Sequence, residues 1–278
     1  VKAQRQPGSV FKPFIYLAAL ESGLTPDSLV EDAPIEIAGW TPENYTATYR
    51  GAIPLKTALA QSSNAAAVRL TQHVGEGNVI GVAHRLGITS RLDVGPSFAL
   101  GSAEMTLMEL TAAYTSFANN GMGVLPYVVV RISDDKGHVL YERNPNEDRR
   151  VIPEKHVATM NEMLNAVITS GTGQGAALVD RPAAGKTGTS SGYRDAWFVG
   201  YTADYVAGVW VGNDRHTPMK HDTGGSLPTA IWHGVMEKAH IGLPLRPLPG
   251  TRIMTPEPKQ PNIETTTTLQ KQSRAPEN

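Results

Sequence analysis

Three short motifs stand far apart in this chain, and their chemistry has meaning only if the fold brings them to one place. They are Ser9-Val10-Phe11-Lys12, Ser62-Ser63-Asn64 and Lys186-Thr187-Gly188-Thr189. The first sets a hydroxyl nucleophile one helical turn from a lysine. The second adds another hydroxyl and an amide, and the third a cation beside two threonine hydroxyls. Together they are the parts for acyl transfer through a serine ester without a histidine. A fold that serves this chemistry must bring three distant segments around one shared cleft.

Pro13 locates the first motif. Proline has no amide proton, so it enters a helix without losing a bond only among the first positions, whose N–H groups have no intrahelical partner. The helix therefore starts near residue 10, with Ser9 at or beside its N-cap and Lys12 on the same face. Backbone N–H groups and the positive end of the helix dipole surround the hydroxyl there. Ser-x-x-Lys alone proves little, since Ser133-Asp134-Asp135-Lys136 has the same spacing in a turn where two carboxylates neutralise the lysine. For Lys12 to take a proton from Ser9 it must be neutral. Two ammonium groups about 4 Å apart repel by about 4 kcal/mol at an effective dielectric of 20, which equals about three pKa units. Lys186 is the expected second cation.

Ser62-Ser63-Asn64 lies between two helical runs. Its bland reading is the end of one helix and the cap of the next; its functional reading has Ser62 relay a proton to the leaving amine and Asn64 orient a substrate amide. Lys186-Thr187-Gly188-Thr189 follows Gly185 at a strand edge, where a glycine allows close approach of a ligand. A peptide adding to that edge would place its terminal carboxylate against Lys186, Thr187 and Thr189. The N–H groups of Ser9 and Thr189 would form an oxyanion hole. Two rival motifs fail. Gly185-Lys186-Thr187 lacks the first glycine of a phosphate loop, since Asp180 stands there. Gly171-Thr172-Gly173-Gln174-Gly175 follows a helix and not a strand, the wrong setting for a dinucleotide. The eight histidines show no metal spacing, so no metal and no cofactor is expected. Asn44-Tyr45-Thr46 is read as a chance glycosylation sequon.

The apolar spacing predicts helices over about 10–22, 55–61, 65–74, 107–119 (capped by Thr106), 153–168 and 228–240. Residues 24–54 read as a long loop region. Tyr127 to Ile132 and His138 to Tyr141 form a hairpin, and short links make strands 183–187, 196–202 and 205–212 antiparallel. A net charge of −1 gives no attraction to nucleic acid or anionic lipid. No apolar run approaches the roughly 18 residues that cross a bilayer. Seven of the 20 prolines fall after residue 243, so 244–278 is expected to be a disordered tail behind one α/β domain, 1–243. The immediate arrival of a motif after Val1 suggests a piece of a longer protein.

With these residues in hand, the chain resembles the transpeptidase domain of class A penicillin-binding proteins. The resemblance runs over about residues 1–243. Besides the three motifs it rests on Arg5-Gln6-Pro7-Gly8, Pro42-Glu43-Asn44-Tyr45, Gly171-Thr172-Gly173, Asp195-Ala196-Trp197-Phe198-Val199-Gly200-Tyr201 and Gly208-Val209-Trp210-Val211-Gly212. It implies a β-lactamase/transpeptidase-like α/β fold, an antiparallel sheet flanked by helices. It also implies D,D-transpeptidase chemistry on the D-Ala-D-Ala end of peptidoglycan stem peptides, with β-lactams acylating Ser9. By the same resemblance Lys12 is the base, Ser62 the relay, Asn64 a substrate contact, and Lys186, Thr187, Gly188 and Thr189 the carboxylate and oxyanion side. Members carry earlier strands, a membrane anchor and a glycosyltransferase domain upstream. A parent of that kind would work on the periplasmic face of the cytoplasmic membrane, with cell-wall synthesis proteins as partners. Two other outcomes share the motifs: a β-lactamase, whose glutamate element Glu162-Met163-Leu164-Asn165 matches only with its spacing off by a residue and is discounted, and a non-catalytic β-lactam sensor or assembly scaffold.

Overall fold

The computed structural model describes residues 2–144 and 149–251. Its centre is a three-stranded antiparallel sheet built from β9 (Ala184–Thr189), β10 (Asp195–Tyr201) and β11 (Val206–Gly212), with β10 in the middle. Lys186 pairs with Val199 and Trp197 with Trp210. Alternation along β10 sends Trp197, Val199 and Tyr201 into the main core and Phe198 to the other face, where it meets Trp232 edge to face at 5.2 Å. That second face is covered by α7 (Leu227–Ala239). On the first lie α5 (Leu107–Ala118), whose Phe117 stacks on Tyr201, and α6 (Glu154–Thr169).

α1 (Lys12–Glu21) runs through the core, with Phe14, Ile15, Tyr16 and Leu17 fully buried. A helix apolar all round belongs inside, so its neighbours must enclose it. They include α2 (Leu55–Ala60), α3 (Asn64–Val74) and α4 (Glu76–Arg85). Of these, α4 is absent from the sequence expectation. Val79, Val82, Ala83 and Leu86 are buried at helical spacing, but Gly77 and Gly81 lower the intrinsic preference of the segment. Thr106 caps α5 as expected, with Glu109 returning the bond in a capping box.

The remaining strands are short. β1 (Gln4–Arg5) pairs with β4 (Met105–Thr106), and β5 (Met122–Gly123) with β8 (Arg149–Arg150). β6 (Arg131–Ser133) and β7 (Val139–Glu142) make the expected hairpin, later and shorter on its first arm. Two expectations need correction. The region read as loop holds β2 (Leu29–Asp32) and β3 (Gly51–Pro54), paired with Val30 opposite Ile53. A carboxylate, Asp32, occupies an inward position of β2 and hides its alternation. The ordered chain also continues beyond 243: Leu248 is 1% exposed in the main core, and Asn161 Nδ2 donates to Pro249 O at 2.8 Å. Proline density hid this one buried leucine. The rest of the expected tail, 252–278, lies outside the described residues.

Candidate active site

The nucleophile turn precedes α1. Gly8–Phe11 form a 3-10 turn, so Ser9 lies inside that turn and the α-helix proper begins at Lys12. Tyr114 Oη donates to Val10 O at 2.7 Å and Trp197 Nε1 to Gln6 O at 2.8 Å, tying the turn to α5 and β10. It lies directly on β9, where two glycines permit the contact. A Cβ on Gly188 would sit 2.2 Å from Pro7 O, and one on Gly8 would sit 2.5 Å from Thr189 O. Gly8 also has φ +55°, the left-handed region that side chains disfavour.

Ser62 lies between α2 and α3, also left-handed at φ +58°. Its carbonyl accepts from Lys12 Nζ at 2.7 Å, and Asn64 Oδ1 accepts from the same nitrogen at 2.7 Å. Ser62 Oγ lies 3.3 Å from Lys12 Nζ and 2.9 Å from Lys186 Nζ. Both lysines are 0% exposed. A neutral Lys12 amine satisfies its two acceptors with its two protons and keeps a lone pair for a hydroxyl. Burial is the first cause that lowers Lys12 well below the usual lysine range; the Lys186 ammonium adds to it and the Asp32 carboxylate opposes. Burial takes Lys186 down to about 7. The expected repulsion is present, but dehydration outweighs it.

The third motif lies wholly within the edge strand β9, which runs two residues past the expected end at 187. Thr187 Oγ1 shares a 2.6 Å hydrogen bond with Thr172 Oγ1, and Thr189 Oγ1 accepts from Gly224 N at 3.1 Å. Asp195 closes the end of the strand: Ser190 Oγ and Trp210 Nε1 donate to it, and Arg5 approaches at 3.7 Å. A cleft of about 730 Å³ joins Ser9, Ser62, Asn64, Thr187, Gly188 and Thr189. Lys12 and Lys186 lie beneath it, held to Ser62. The Ser9 hydroxyl makes no hydrogen bond within the described residues, so it is free to meet a ligand. Tyr45, Tyr193 and His221 form an aromatic rim, with ring centroids 6.5 and 4.7 Å apart along the series.

The family model for the penicillin-binding protein transpeptidase domain matches residues 1–237. The chain belongs to that family. It is 41% identical over 244 residues to penicillin-binding protein 1A of Aquifex aeolicus, covering 85% of this chain and 33% of that protein. With penicillin-binding protein 1A of Pseudomonas aeruginosa it shares 37% over 290 residues, covering 84% and 35%. It thus spans about a third of the length of these relatives. The structure of penicillin-binding protein 1A from Haemophilus influenzae aligns with a TM-score of 0.80 at 29% identity, over 89% of this chain and 44% of that one. The PonA1 protein from Mycobacterium tuberculosis, in complex with penicillin V, aligns with a TM-score of 0.81 at 27% identity, over 89% and 72%.

Within this penicillin-binding transpeptidase domain, sequence reasoning missed Thr172 and the pair Asp32 and Asn44 as members of the site. Asn44, read as part of a chance sequon, is 7% exposed, and its amide nitrogen donates to Asp32 and to Thr48 O, which leaves no room for a glycan. Asn64 also differs from expectation: its Nδ2 donates to Glu43 O at 2.6 Å while its Oδ1 holds Lys12. Its amide is therefore engaged at both ends before any substrate arrives. Ser133 and Lys136 lie on the hairpin and take no part. Glu162 is exposed on α6 and does not line the cleft.

Proposed function

We propose that this domain is a serine D,D-transpeptidase that cross-links peptidoglycan stem peptides and is inhibited by β-lactams. The observation that carries this reading is a single hydroxyl, Ser62 Oγ, bridging two fully buried lysines at the cleft that Ser9 also lines. The stem peptide adds along the free edge of β9, its terminal carboxylate facing Thr187, Thr189 and the charge on Lys186. Ser9 Oγ attacks the carbonyl of the penultimate D-alanine while Lys12 Nζ takes its proton. The oxyanion lies between the N–H groups of Ser9 and Thr189, each such donor being worth about 3 kcal/mol in comparable sites. As the C–N bond breaks, Lys12 hands this proton to Ser62, which passes its own to the departing D-alanine nitrogen. The amine of a neighbouring stem then attacks the Ser9 ester; Lys12 accepts the proton that this amine loses and returns it to the Ser9 oxygen as the ester C–O bond breaks.

A parent that carries this domain beside a glycosyltransferase, anchored in the cytoplasmic membrane, would work on its outer face, where its substrate lies. No helix among the described residues is long and apolar enough to cross a membrane. Fluorescent penicillin tests the reading. The chain should take up one label, Ser9→Ala none, and the ester should persist for many minutes. Release within seconds would mark a β-lactamase instead. A stable ester without cross-linking of stem-peptide mimics would mark a sensor.

A further inference from the structure

Beneath the Ser62 turn lies a buried polar group that the reaction scheme does not use. Asp32 on β2 is 0% exposed, and its Oδ1 accepts from Ser63 Oγ at 2.6 Å and Asn44 Nδ2 at 2.7 Å. Its Oδ2 accepts from Arg50 N at 3.2 Å. Asn44 turns its oxygen to the start of α3 and accepts from Asn64 N at 2.8 Å and Ala65 N at 3.3 Å. Ser63 Oγ accepts the next amide, Ala66 N, at 3.0 Å. Three of the N–H groups left unpaired at a helix start are thus held by two side chains, both anchored on one carboxylate.

The residue held by this arrangement is Ser62. A non-glycine residue in the left-handed region is strained and persists only where its surroundings impose it. Here the constraint comes from below, through α3, while from above Lys12 Nζ grips the Ser62 carbonyl. Asp32 lies beneath the cleft, and Asn44, which reaches the cleft lining, makes its bonds to Asp32, to Thr48 O and to the start of α3 and none to Ser9.

We propose that Asp32 and Asn44 are positioning residues for the acyl transfer, holding the Ser62 turn so that its hydroxyl stays between Lys12 and Lys186. This rests on the transpeptidase reading above. Asp32 has a second effect, since its charge faces Lys12 against that of Lys186; these are the two charged groups that act on the lysine.

The test measures penicillin acylation of the 278-residue chain, separating binding constant, limiting rate and final label per chain. Asn44→Ala should lower the limiting rate on the order of 10²-fold, the scale of a 1 Å misplacement in a reacting group. Binding and one label per folded chain should be kept. Ser63→Ala, a milder loss of one cap, should act in the same direction by a smaller factor and remains readable if Asn44→Ala does not fold. Asp32→Asn should move the acid limb of the rate profile to lower pH, because a charge that favours protonated Lys12 is gone. Variants that keep the wild-type rate and lose only labelled fraction, or an acid limb that does not move, would overturn the proposal: the group would then be structural alone. Failure of the wild-type chain itself to label would overturn the transpeptidase reading, and this proposal with it.

Discussion

Lys12 and Lys186 share one hydroxyl but sit in different fields, and the difference can be measured. An unfolded lysine binds its proton up to about 10.5, whereas Lys186 in the fold gives it up at about 7. Between these values the unfolded chain holds more protons than the folded one, so stability rises with pH across that window. The penalty is complete below about 7 and gone above 10.5. A single lysine of this kind gives a slope of about 1.4 kcal/mol per pH unit. Urea unfolding of the wild type should steepen accordingly between pH 7.5 and 9.5, and Lys186→Met should lose this part of the slope while no longer supporting acylation. An equal slope in the two chains would show Lys186 to be hydrated or paired in the fold. At this scale the motif residues were legible because each carries reactive chemistry at fixed spacing. Asp32 was not, since a lone aspartate among prolines and threonines looks like loop until its strand partner, some twenty residues on, is known.

Among the elements, the contact between the nucleophile turn and β9 leaves no space for even one methyl group. Gly188→Ala would drive a Cβ into Pro7 O and within 3.1 Å of Val10 N. Overpacking of this kind costs about 1–3 kcal/mol, and the turn that yields carries Ser9 with it. The melting temperature should fall modestly while penicillin labelling slows far more; equal small losses in both would show that the strand and not the turn gives way. On the opposite face of the sheet, Trp232 fills the small second core and donates to Gly200 O and Ala207 O. Trp232→Ala should cost about 3–5 kcal/mol, read by chemical denaturation, with the acylation rate of the remaining folded chain nearly unchanged. Elements with one clear period and a cap, such as α5 behind Thr106, can be read from their residues alone. Glycines inside α4 and a buried charge on β2 erase the local signal for those two, and only packing against α1 and α3 fixes them.

Taken whole, the molecule draws its reactive groups from both ends of the chain, with Ser9, Lys12, Ser62 and Asn64 before the β6–β7 hairpin and Lys186 to Thr189 after it. The two parts meet through α1 against α6, α5 against the sheet, and the Trp197 bond to Gln6 O. Among the described residues the hairpin strands β6 and β7 pack chiefly on each other. Across the hairpin, Val130, Ile132, Val139 and Tyr141 remain between 45% and 61% exposed. Its tip, Asp134 to Gly137, is an exposed turn of the sort that proteases enter first. A single nick there should therefore leave an enzyme in two pieces that travel together under native conditions and still react with penicillin. On a denaturing gel all of the fluorescence should follow the smaller, amino-terminal piece, making the covalent thread between the halves dispensable once folding is done.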